Sequence, residues 1–453
     1  MRPDIKERID MINRGEVPEG YKKVNYGIIP RDWTKSKIGD VASFEGGAQP
    51  PRSEFVFECK EGYVRLIQTR DYKTDNYKTY IPVNLARKFC RKDDIMIGRY
   101  GPPIFQILRG IDGAYNVALI KVIPKLEKIE KDYLFFCLNL ESLFKMIDKL
   151  SRRSSGQTGV DIDALNNYGL PLPPVPEQQK IAEILTTCDK VIELKEKLIK
   201  QKKEQMKGLM QTLLTGKVRV NEFGKVNQEK LKERIEMINR GEVPEGYQKV
   251  KRFIIPKDWE FTKIYKIADQ VTESNNENND HRVFSCTKYN GLVDSLEYFK
   301  KQVYSKDLRL YKVVRKNYFV YATNHIEEGS IGLQELCDIG LVSPMYTVFK
   351  VRDSVNSKYL YAVLKTENYR RIYVTMMSAS IDRRGSLRWN VFSQIKIPFP
   401  PLDEQQKIAE ILSLLEKEIQ LLEQELATLK EQKKGLMQLL LTGKVRVKSV
   451  VCF

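Results

Sequence analysis

Three blocks of this chain occur twice, whereas the stretches between them do not. The matching pairs are 8–33 with 234–259, 177–185 with 404–412, and 208–220 with 435–447. The first pair is identical at 20 of 26 positions, and the second is EQQKIAEIL in both copies. The interiors 34–170 and 260–397 are almost equal in length but differ in sequence. This pattern predicts one partner bound twice through identical surfaces and two different targets recognised by the interiors.

The composition favours a nucleic-acid partner. A chain of 453 residues with 42% hydrophobic content has room for two to four domains with ordinary cores. The net charge is +18, with 40 basic and 30 acidic residues in 1–227 and 37 and 29 in 228–453. Each half is therefore basic by itself, which is typical of proteins that bind a polyanion. A merely soluble basic protein is the alternative that charge leaves open.

Cysteine and histidine usage gives no sign of a metal centre or a disulfide framework. The seven cysteines are scattered without a CxxC pair, and the chain has two histidines. The charged N-terminus MRPDIKERID is unlike a signal peptide, and no apolar run reaches the ~20 residues that a membrane helix needs. We therefore expect a cytoplasmic protein with reduced thiols, no metal and no membrane association.

Two long helices are predicted from heptad seams. Apolar residues recur in alternating steps of four and three from Ile181 to Leu213 and from Ile408 to Leu440, which is typical of a coiled coil. Proline-rich segments precede both runs, and Gly216 and Gly443 stand where helix C-terminal caps are expected. A pseudo-twofold repeat favours antiparallel pairing of the two helices, although parallel pairing and a homodimeric coil remain open.

The interiors are predicted to be mixed α/β. Strands are expected at 93–101, 116–124, 316–324 and 343–351, and amphipathic helices at 132–150 and 358–377. The predicted fold class is α/β (α+β type): two mixed globular domains joined by two long helices that form an antiparallel coiled coil, with a pseudo-twofold repeat. The predicted segments are 1–20 (completing a circular repeat), 21–175 (domain 1), 176–220 (central helix), 221–246 (linker and repeat segment), 247–402 (domain 2) and 403–447 (C-terminal helix). A circular repeat would bring 1–20 close to the end of the second helix.

Sequence motifs of catalysis are missing, and the polar segments favour recognition. The chain has no GxxxxGK[ST], HExxH or GxSxG motif. Arginine and glutamine can contact guanine and adenine edges, while threonine and tyrosine contact phosphates. The candidate DNA-binding residues are Arg65, Gln68, Thr69, Arg70, Arg99, Tyr100, Arg152, Arg153, Gln157, Thr158, Lys288, Asn290, Asn324, Arg383, Arg384 and Arg388. For any single one of them, a solvated surface side chain is the competing interpretation.

The duplicated EQQKIAEIL blocks predict a partner-binding surface. A seam needs only Ile181 and Leu185 of the first block, so the identity of the remaining positions suggests an outward face that contacts a protein twice. The candidate partner-binding residues are Glu177, Gln178, Gln179, Lys180, Glu183, Glu404, Gln405, Gln406, Lys407 and Glu410. Coiled-coil ends are the competing explanation.

These features together resemble the specificity subunits of type I restriction-modification systems. The resemblance rests on the tandem halves, on S-x-G-x-T-G-x-D at 154–161 with its counterpart at 378–387, and on the proline-rich junction that leads into each EQQKIAEIL helix. It covers essentially the whole chain. It implies a non-catalytic subunit whose two target-recognition domains read the halves of an asymmetric, bipartite site in double-stranded DNA.

The resemblance also implies partners and cofactors. Members of this family recruit two adenine-methyltransferase (modification) subunits and restriction subunits that act as ATP-dependent translocases and nucleases. S-adenosylmethionine, ATP and magnesium would then belong to those subunits, and no cofactor is expected in this chain. The alternatives are a self-contained DNA-modifying enzyme, for which a [DN]PPY loop or an acidic metal cluster is not found, and a coiled-coil nucleic-acid-binding adaptor.

Overall fold

A computed structural model describes residues 2–101, 103–151, 159–222, 228–251, 253–277, 280–378 and 386–447. The chain forms two compact units, one made of residues 1–196 with 424–453 and the other of residues 197–423. Each unit therefore contains one interior and parts of both long helices. The six cysteines in the described part of the chain are free thiols.

The first unit is built on two four-stranded sheets and two antiparallel two-stranded pairs. One sheet has the order Tyr80–Pro82, Tyr63–Ile67, Gly113–Tyr115, Phe89–Cys90, and the other has the order Ala42–Gly46, Leu119–Pro124, Ile95–Gly98, Ile107–Leu108. The two-stranded pairs are Tyr21–Val24 with Gly27–Pro30 and Thr34–Lys37 with Gly169–Leu172. Its helices before the long one are Pro3–Asn13, Ile38–Val41, Lys131–Leu138, Glu141–Ser151 and Ile162–Asn166.

The second unit repeats this plan with different residues. Its four-stranded sheets have the orders Ala268–Val271, Tyr346–Val351, Phe319–Ala322, Ile331–Leu333 and Gly291–Asp294, Val283–Thr287, Ile339–Val342, Lys312–Arg315. Its pairs are Tyr247–Val250 with Phe253–Pro256 and Glu260–Lys263 with Lys396–Phe399. Its helices before the second long one are Gln228–Arg240, Ser295–Phe299, Ser357–Leu364, Glu367–Ser378 and Trp389–Phe392.

The four predicted strands exist, and they are shorter than the sequence runs that predicted them. Each pairs in the larger sheets, and each contains an almost continuous run of buried residues rather than a strict alternation. The main apolar core of the first unit surrounds Trp33 and Tyr133, and that of the second surrounds Trp259 and Tyr359. The two interiors therefore place apolar residues at similar positions, and they form the same sheets although their sequences differ.

The two amphipathic helices predicted in the interiors are each broken into two. The 132–150 segment forms Lys131–Leu138 and Glu141–Ser151, because the Asn139 side chain donates to the carbonyl of Phe135 (2.8 Å) where the helix ends. In the 358–377 segment, Thr366 Oγ1 donates to the carbonyl of Val363 (2.8 Å) at the same point. Short polar side chains compete with the helical backbone for hydrogen bonds, and the apolar periodicity continues across such a break.

The long helices run from Val175 to Leu213 and from Leu402 to Leu441. The helical segments therefore end several residues before the predicted limits 220 and 447. Every seam residue between Ile181 and Leu213 and between Ile408 and Leu440 is buried or half-buried. Gly216 and Gly443 follow the helices with φ of +71° and +72°, the left-handed conformation that a glycine cap adopts.

Ion pairs along the long helices define their antiparallel direction within each unit. In the first unit, Lys195 pairs with Glu425 at 2.6 Å and Glu196 with Lys430 at 2.6 Å, and Asp189 pairs with Lys433. In the second unit, Lys202 pairs with Glu418 at 2.7 Å, and Arg219, which follows the first long helix, pairs with Glu404 at 2.8 Å. From Asp189 to Lys195 the number of the partner falls from 433 to 425, and from Lys202 to Arg219 it falls from 418 to 404, so the coiled coil is antiparallel as predicted.

The repeated blocks converge in each unit. In the first unit, the Tyr21 hydroxyl donates to the carbonyl of Gly443 (2.9 Å), and Lys444 donates to Asn13 (2.6 Å). In the second unit, the Tyr247 hydroxyl donates to the carbonyl of Gly216 (2.8 Å), and Lys217 donates to Asn239 (2.7 Å). The N-terminal segment therefore lies against the end of the second helix in the way that 234–259 lies against the end of the first. We call each set of converged blocks the frame of its unit.

Candidate nucleic-acid interface

The segment RLIQTRDY of the first interior covers the end of an inner strand of one four-stranded sheet and the short helix Thr69–Tyr72 that follows it. Arg65 lies on strand Tyr63–Ile67, its side chain 17% exposed, and its guanidinium is hydrogen-bonded to Asp75 at 2.9 Å. This hydrogen bond lowers the pKa of Asp75, whereas burial raises the pKa of Asp71. Arg65 is thus held inside the interior rather than presented to solvent.

Gln68 and Arg70 converge on a buried threonine that sequence analysis did not single out. Thr79 is fully buried, and its hydroxyl oxygen lies 3.1 Å from Gln68 Nε2 and 3.3 Å from Arg70 Nη2. Arg70 is exposed, and its guanidinium lies 5.9 Å from the centre of the Tyr77 ring. Arg70 is therefore an exposed residue of this segment whose guanidinium is held in place by a hydrogen bond to Thr79.

Unsatisfied polar atoms are concentrated in the same segment. Seven buried side-chain nitrogen and oxygen atoms of the described residues have no hydrogen-bond partner, and three of them are Arg65 Nε, Asp71 Oδ1 and Tyr72 Oη. Buried polar groups are normally satisfied, and groups left open are found at strained or functional sites. This supports the prediction that the segment takes part in recognition.

A second predicted segment, RYGPP, lies beside the first. Thr69 lies close to Gly98, since a Cβ built at Gly98 would be 3.4 Å from the Thr69 methyl group. Arg99 and Tyr100 follow directly, half-buried, with the guanidinium 5.2 Å from the ring centre. Tyr100 forms a β-bridge with Gly159. The polar segment that the sequence predicted at 151–163 therefore rejoins the domain next to Arg99 and Tyr100.

In the second interior, two predicted loops are tied together by a lysine. Lys365 Nζ donates to the carbonyl of Lys288 (3.1 Å) and to the carbonyl of Gly329 (2.9 Å), and burial lowers its pKa. Lys288 lies 5.2 Å from the Tyr289 ring centre, and Asn290 is exposed in the following turn. Lys365 was not predicted, since a single lysine in an amphipathic helix gives no sequence signal.

Asn324 occupies a position that matches Tyr100. It is exposed, and the preceding Thr323 accepts at its carbonyl the backbone N–H of Leu387 (2.7 Å). In the first unit, the carbonyl of Arg99 accepts the backbone N–H of Val160 (3.1 Å). Arg388 is exposed one residue after Leu387. Of the other candidates, Arg152, Arg153, Gln157, Thr158, Arg383 and Arg384 lie outside the described residues.

The outward face predicted for the EQQKIAEIL blocks is wrong for Glu177 and Glu404. Glu177 is buried, and its carboxylate accepts two hydrogen bonds from Arg446 (both 2.8 Å) and one from Trp33 Nε1 (3.0 Å). In the second unit, Glu404 is also buried, and its carboxylate accepts two hydrogen bonds from Arg219 (both 2.8 Å) and one from Trp259 Nε1 (2.9 Å). Opposite charges repeated in separate identical blocks were the signal that could have revealed these pairs.

The prediction of an outward face is also wrong for Gln178 and Gln405. The Gln178 carbonyl oxygen accepts the backbone N–H of Glu130 (2.8 Å), and its amide donates to the carbonyls of Pro173 (2.9 Å) and Lys128 (3.2 Å). The equivalent bonds of Gln405 reach Asn356, Pro400 and Ser354 at 2.9, 2.9 and 3.3 Å. These glutamines attach each interior to the start of a long helix. The remaining six candidates, Gln179, Lys180, Glu183, Gln406, Lys407 and Glu410, are exposed, and their partner role stays a prediction.

The described residues contain one group that could hold a cation and one large cleft. The possible ligand atoms of His325, Glu327 and Glu328 lie within 4.8 Å of one another on a mostly exposed loop. The cleft, about 1290 Å³ in volume, lies in the first unit between residues of the frame, such as Asn13 and Gln438, and residues of the interior, such as Phe144. No helix among the described residues is long and apolar enough to cross a membrane.

Comparison with known proteins identifies the class of the chain. The family model described as the type I restriction modification DNA specificity domain matches residues 30–204 and again residues 256–431. Each match covers one interior and most of the long helix that follows it. The chain thus contains two DNA-specificity domains in tandem. It belongs to the type I restriction-modification DNA specificity family.

Curated relatives and a solved structure agree with this assignment. The MjaVIII specificity subunit of Methanocaldococcus jannaschii is 25% identical over 446 residues, covering 95% of this chain and 97% of that protein. The EcoAI specificity subunit of Escherichia coli is 25% identical over 202 residues, covering 39% of this chain and 32% of that protein. The S subunit of a type I system from M. genitalium has the same fold with a TM-score of 0.53 at 14% identity, covering 92% of this chain and 97% of that one.

Proposed function

We propose that the chain is the non-catalytic DNA-recognition subunit of a type I restriction-modification complex, with 21–175 and 247–402 each reading one half of an asymmetric bipartite site. One observation carries the proposal. The two interiors share a sheet plan and a frame, yet Arg99 and Tyr100 in one correspond in position to Thr323 and Asn324 in the other. Matching geometry with different chemistry is what two readers of different half-sites require.

Within each interior, we assign base contacts to the exposed polar residues and phosphate contacts to the half-buried ones. Arg70 and Asn324 are exposed and can reach base edges, where arginine recognises guanine and asparagine recognises adenine. Lys288 and Tyr100 are half-buried and can contact phosphates, which position the domain without reading sequence. The basic surplus of the chain, +18 overall, favours the approach of duplex DNA.

The long helices, within 176–220 and 403–447, act as the spacer between the two readers, and 221–246 connects the halves. A helix of 39 residues is roughly 58 Å long at 1.5 Å per residue. Half-sites one turn of DNA apart are separated by ~34–36 Å. Rods of this length are sufficient to place two domains over such half-sites.

The partners of this assembly are two modification subunits, one per half of the chain, together with restriction subunits. The modification subunits would supply adenine methylation with S-adenosylmethionine, and the restriction subunits would supply ATP-dependent translocation and cleavage. The duplicated frame supports a twofold assembly, since it offers the same surface twice. The type I subunits among the relatives of this chain support the kind of complex.

Lengthening both helices tests the spacer. Inserting one matched heptad after residue 196 and another before residue 424 preserves the seam and adds about 10 Å, or roughly three base pairs of DNA. Methylated adenines mapped across the genome should show the same half-sites with a longer gap. A control insertion of the same length within 221–227 should leave the gap unchanged. Unchanged spacing in the lengthened variant would contradict the spacer.

The purified chain distinguishes the proposal from a self-contained enzyme. We expect the chain alone to transfer no methyl group from S-adenosylmethionine to DNA, and to gain that activity when the modification subunit is added. Duplex binding should weaken steeply with salt, because released counterions drive it. Methyl transfer by the chain alone would instead establish an enzyme.

A further inference from the structure

The first repeated block contains a surface stretch that is identical in both copies without an obvious reason in the fold. The two copies differ at residues 10, 22, 25, 26, 27 and 31 of the first copy, and none of these lies within 11–21. Residues 10, 25, 27 and 31 are exposed, so other surface positions of the same block have changed. Recent duplication therefore does not explain why the surface at 14–19 is unchanged. We call 14–19 and 240–245, both RGEVPE, the acidic turns.

The acidic turns have the same geometry in both units. Arg14 pairs with Glu16 through two hydrogen bonds of 3.0 Å, and Arg240 pairs with Glu242 through bonds of 2.9 and 3.1 Å. The backbone N–H of Glu16 bonds to the carbonyl of Met11 at 3.0 Å, and the equivalent bond of Glu242 is also 3.0 Å. Such a turn is ordered before any partner arrives, which lowers the entropic cost of binding.

Fold stability explains only part of this identity. Gly15 and Gly241 need their positive φ of +82° and +85°, and Pro18 is buried. The ion pairs are exposed, and exposed pairs contribute little to stability. Val17 and Val243 are 45% and 43% exposed, although polar residues would fold equally well there. The valine and the glutamates therefore need another explanation.

The charge of the acidic turns points to a protein rather than to DNA. Arg14, Glu16 and Glu19 give each turn a net charge of −1 in a chain whose net charge is +18. Phosphates would be repelled by such a surface, whereas a basic side chain of a protein would complement it. The valine beside the glutamates offers an apolar contact surrounded by charge, which is the usual arrangement of a protein interface.

A second repeated feature lies on the long helices. Gly435 and Gly208 occupy exposed positions within the long helices, and a Cβ at either would meet nothing within 4 Å. Glycine in a helix costs about 1 kcal/mol relative to alanine, so nothing inside the unit accounts for it. In the first unit, Gly15 of the turn and Gln438 of the helix border the same cleft. Gly435 lies three residues before Gln438 on that helix, and the open space around it permits close approach by another chain.

We infer that each acidic turn, with the exposed helix surface beside Gly435 or Gly208, binds one copy of the same protein partner. The partner presents a basic group to Glu19 or Glu245 and an apolar depression to the valine. This rests on the proposed function, in which that partner is the modification subunit. The repeated protein contact is thereby assigned to the surface of 14–19 and 240–245, because the first residues of the EQQKIAEIL blocks are buried.

Replacing the exposed valine and the second glutamate of one turn or both (Val17 and Glu19, or Val243 and Glu245) tests this surface. The variants are Val17→Asp with Glu19→Lys in the first turn, Val243→Asp with Glu245→Lys in the second, and all four together. Asp10→Asn with Glu236→Gln changes exposed positions that differ between the copies, and it serves as the charge-matched control for the combined variant because both raise the net charge by two. Native mass spectrometry with the modification subunit of the same system counts the bound copies, and thermal melting verifies that each variant folds.

We expect two bound copies for the unaltered chain and the control, one for each single-turn variant and none for the combined variant. Each altered site should lose at least about 10-fold in affinity. Two copies on the combined variant would overturn the inference, and so would normal assembly with loss of DNA binding. An unaltered chain that binds no modification subunit would overturn the proposed assembly, and this surface with it.

Discussion

Replacing Arg446 with methionine tests whether the buried carboxylate of Glu177 depends on that guanidinium. Arg446 donates two hydrogen bonds to Glu177 and two to Asp32, at 2.7 to 2.8 Å. The Glu177 side chain is 5% exposed, whereas the Asp32 side chain is 55% exposed. The methionine variant therefore leaves Glu177 charged, buried and bonded to Trp33 Nε1 and the backbone of Val447.

The size of the effect follows from this exposure. Breaking a fully buried pair costs ~3–5 kcal/mol. Arg446 is itself 31% exposed, so water partly screens the pair and we expect about 2–3 kcal/mol. Asp32 contributes under ~1 kcal/mol because it is solvated. For a domain of this size, the loss corresponds to a fall in melting temperature of about 4–12 °C.

A double variant provides the decisive comparison. Adding Glu177→Gln to Arg446→Met removes the stranded charge while an amide oxygen still accepts from Trp33, so the double variant should be more stable than Arg446→Met alone. Urea unfolding followed by tryptophan fluorescence measures both. Arg219→Met with and without Glu404→Gln repeats the test in the second unit. A double variant less stable than the single one would refute the argument.

Three further predictions concern local features. Gly443→Ala should lower the free energy of unfolding in urea by over ~1 kcal/mol, because φ is +72° and the new Cβ would lie 2.5 Å from a proline ring. Gly435→Ala should instead raise the free energy of unfolding by up to ~1 kcal/mol, because this glycine lies within a helix and a Cβ there meets nothing within 4 Å. Burial raises the pKa of Asp94, yet hydrogen bonds from Lys121 and a neighbouring lysine lower it to about 2 from 3.8. Its stabilisation of roughly 2 kcal/mol is therefore present above pH 4 and lost as pH falls toward 2, and Asp94→Asn should flatten acid unfolding over that window. Arg70→Ala should weaken site-specific binding by 1–3 kcal/mol in a DNA titration without lowering the melting temperature, and equal loss on unrelated DNA would indicate a phosphate contact instead.

The architecture followed from the sequence because periodic patterns report it directly. The heptad seams predicted the long helices, and Gly216 and Gly443 predicted their ends. The breaks at Asn139 and Thr366 were missed, since one polar side chain can end a helix without disturbing the apolar period. Local capping chemistry is weaker in sequence than hydrophobic periodicity.

The candidate interface could be predicted from the sequence only in part. Candidate residues were named in the loops that meet at Tyr100 and at Asn324, but their meeting was not predicted, because contacts between distant loops require the fold. The burial of Glu177 and Gln178 was missed, since a charged or amide residue on a helix reads as exposed unless its partner is known. Their partners lie far away in the chain, so pairing them required the fold.

The two glutamines at the helix starts explain how interiors of different sequence are attached in the same way. Gln178 and Gln405 bond only to backbone N–H and carbonyl groups of the interior, at positions where one unit has Lys128 and the other has Ser354. Backbone groups are present whatever the side chain. The attachment of an interior to its long helix therefore does not depend on the side chains of the interior. We expect that a different interior can replace either one while these hydrogen bonds to Gln178 or Gln405 are kept.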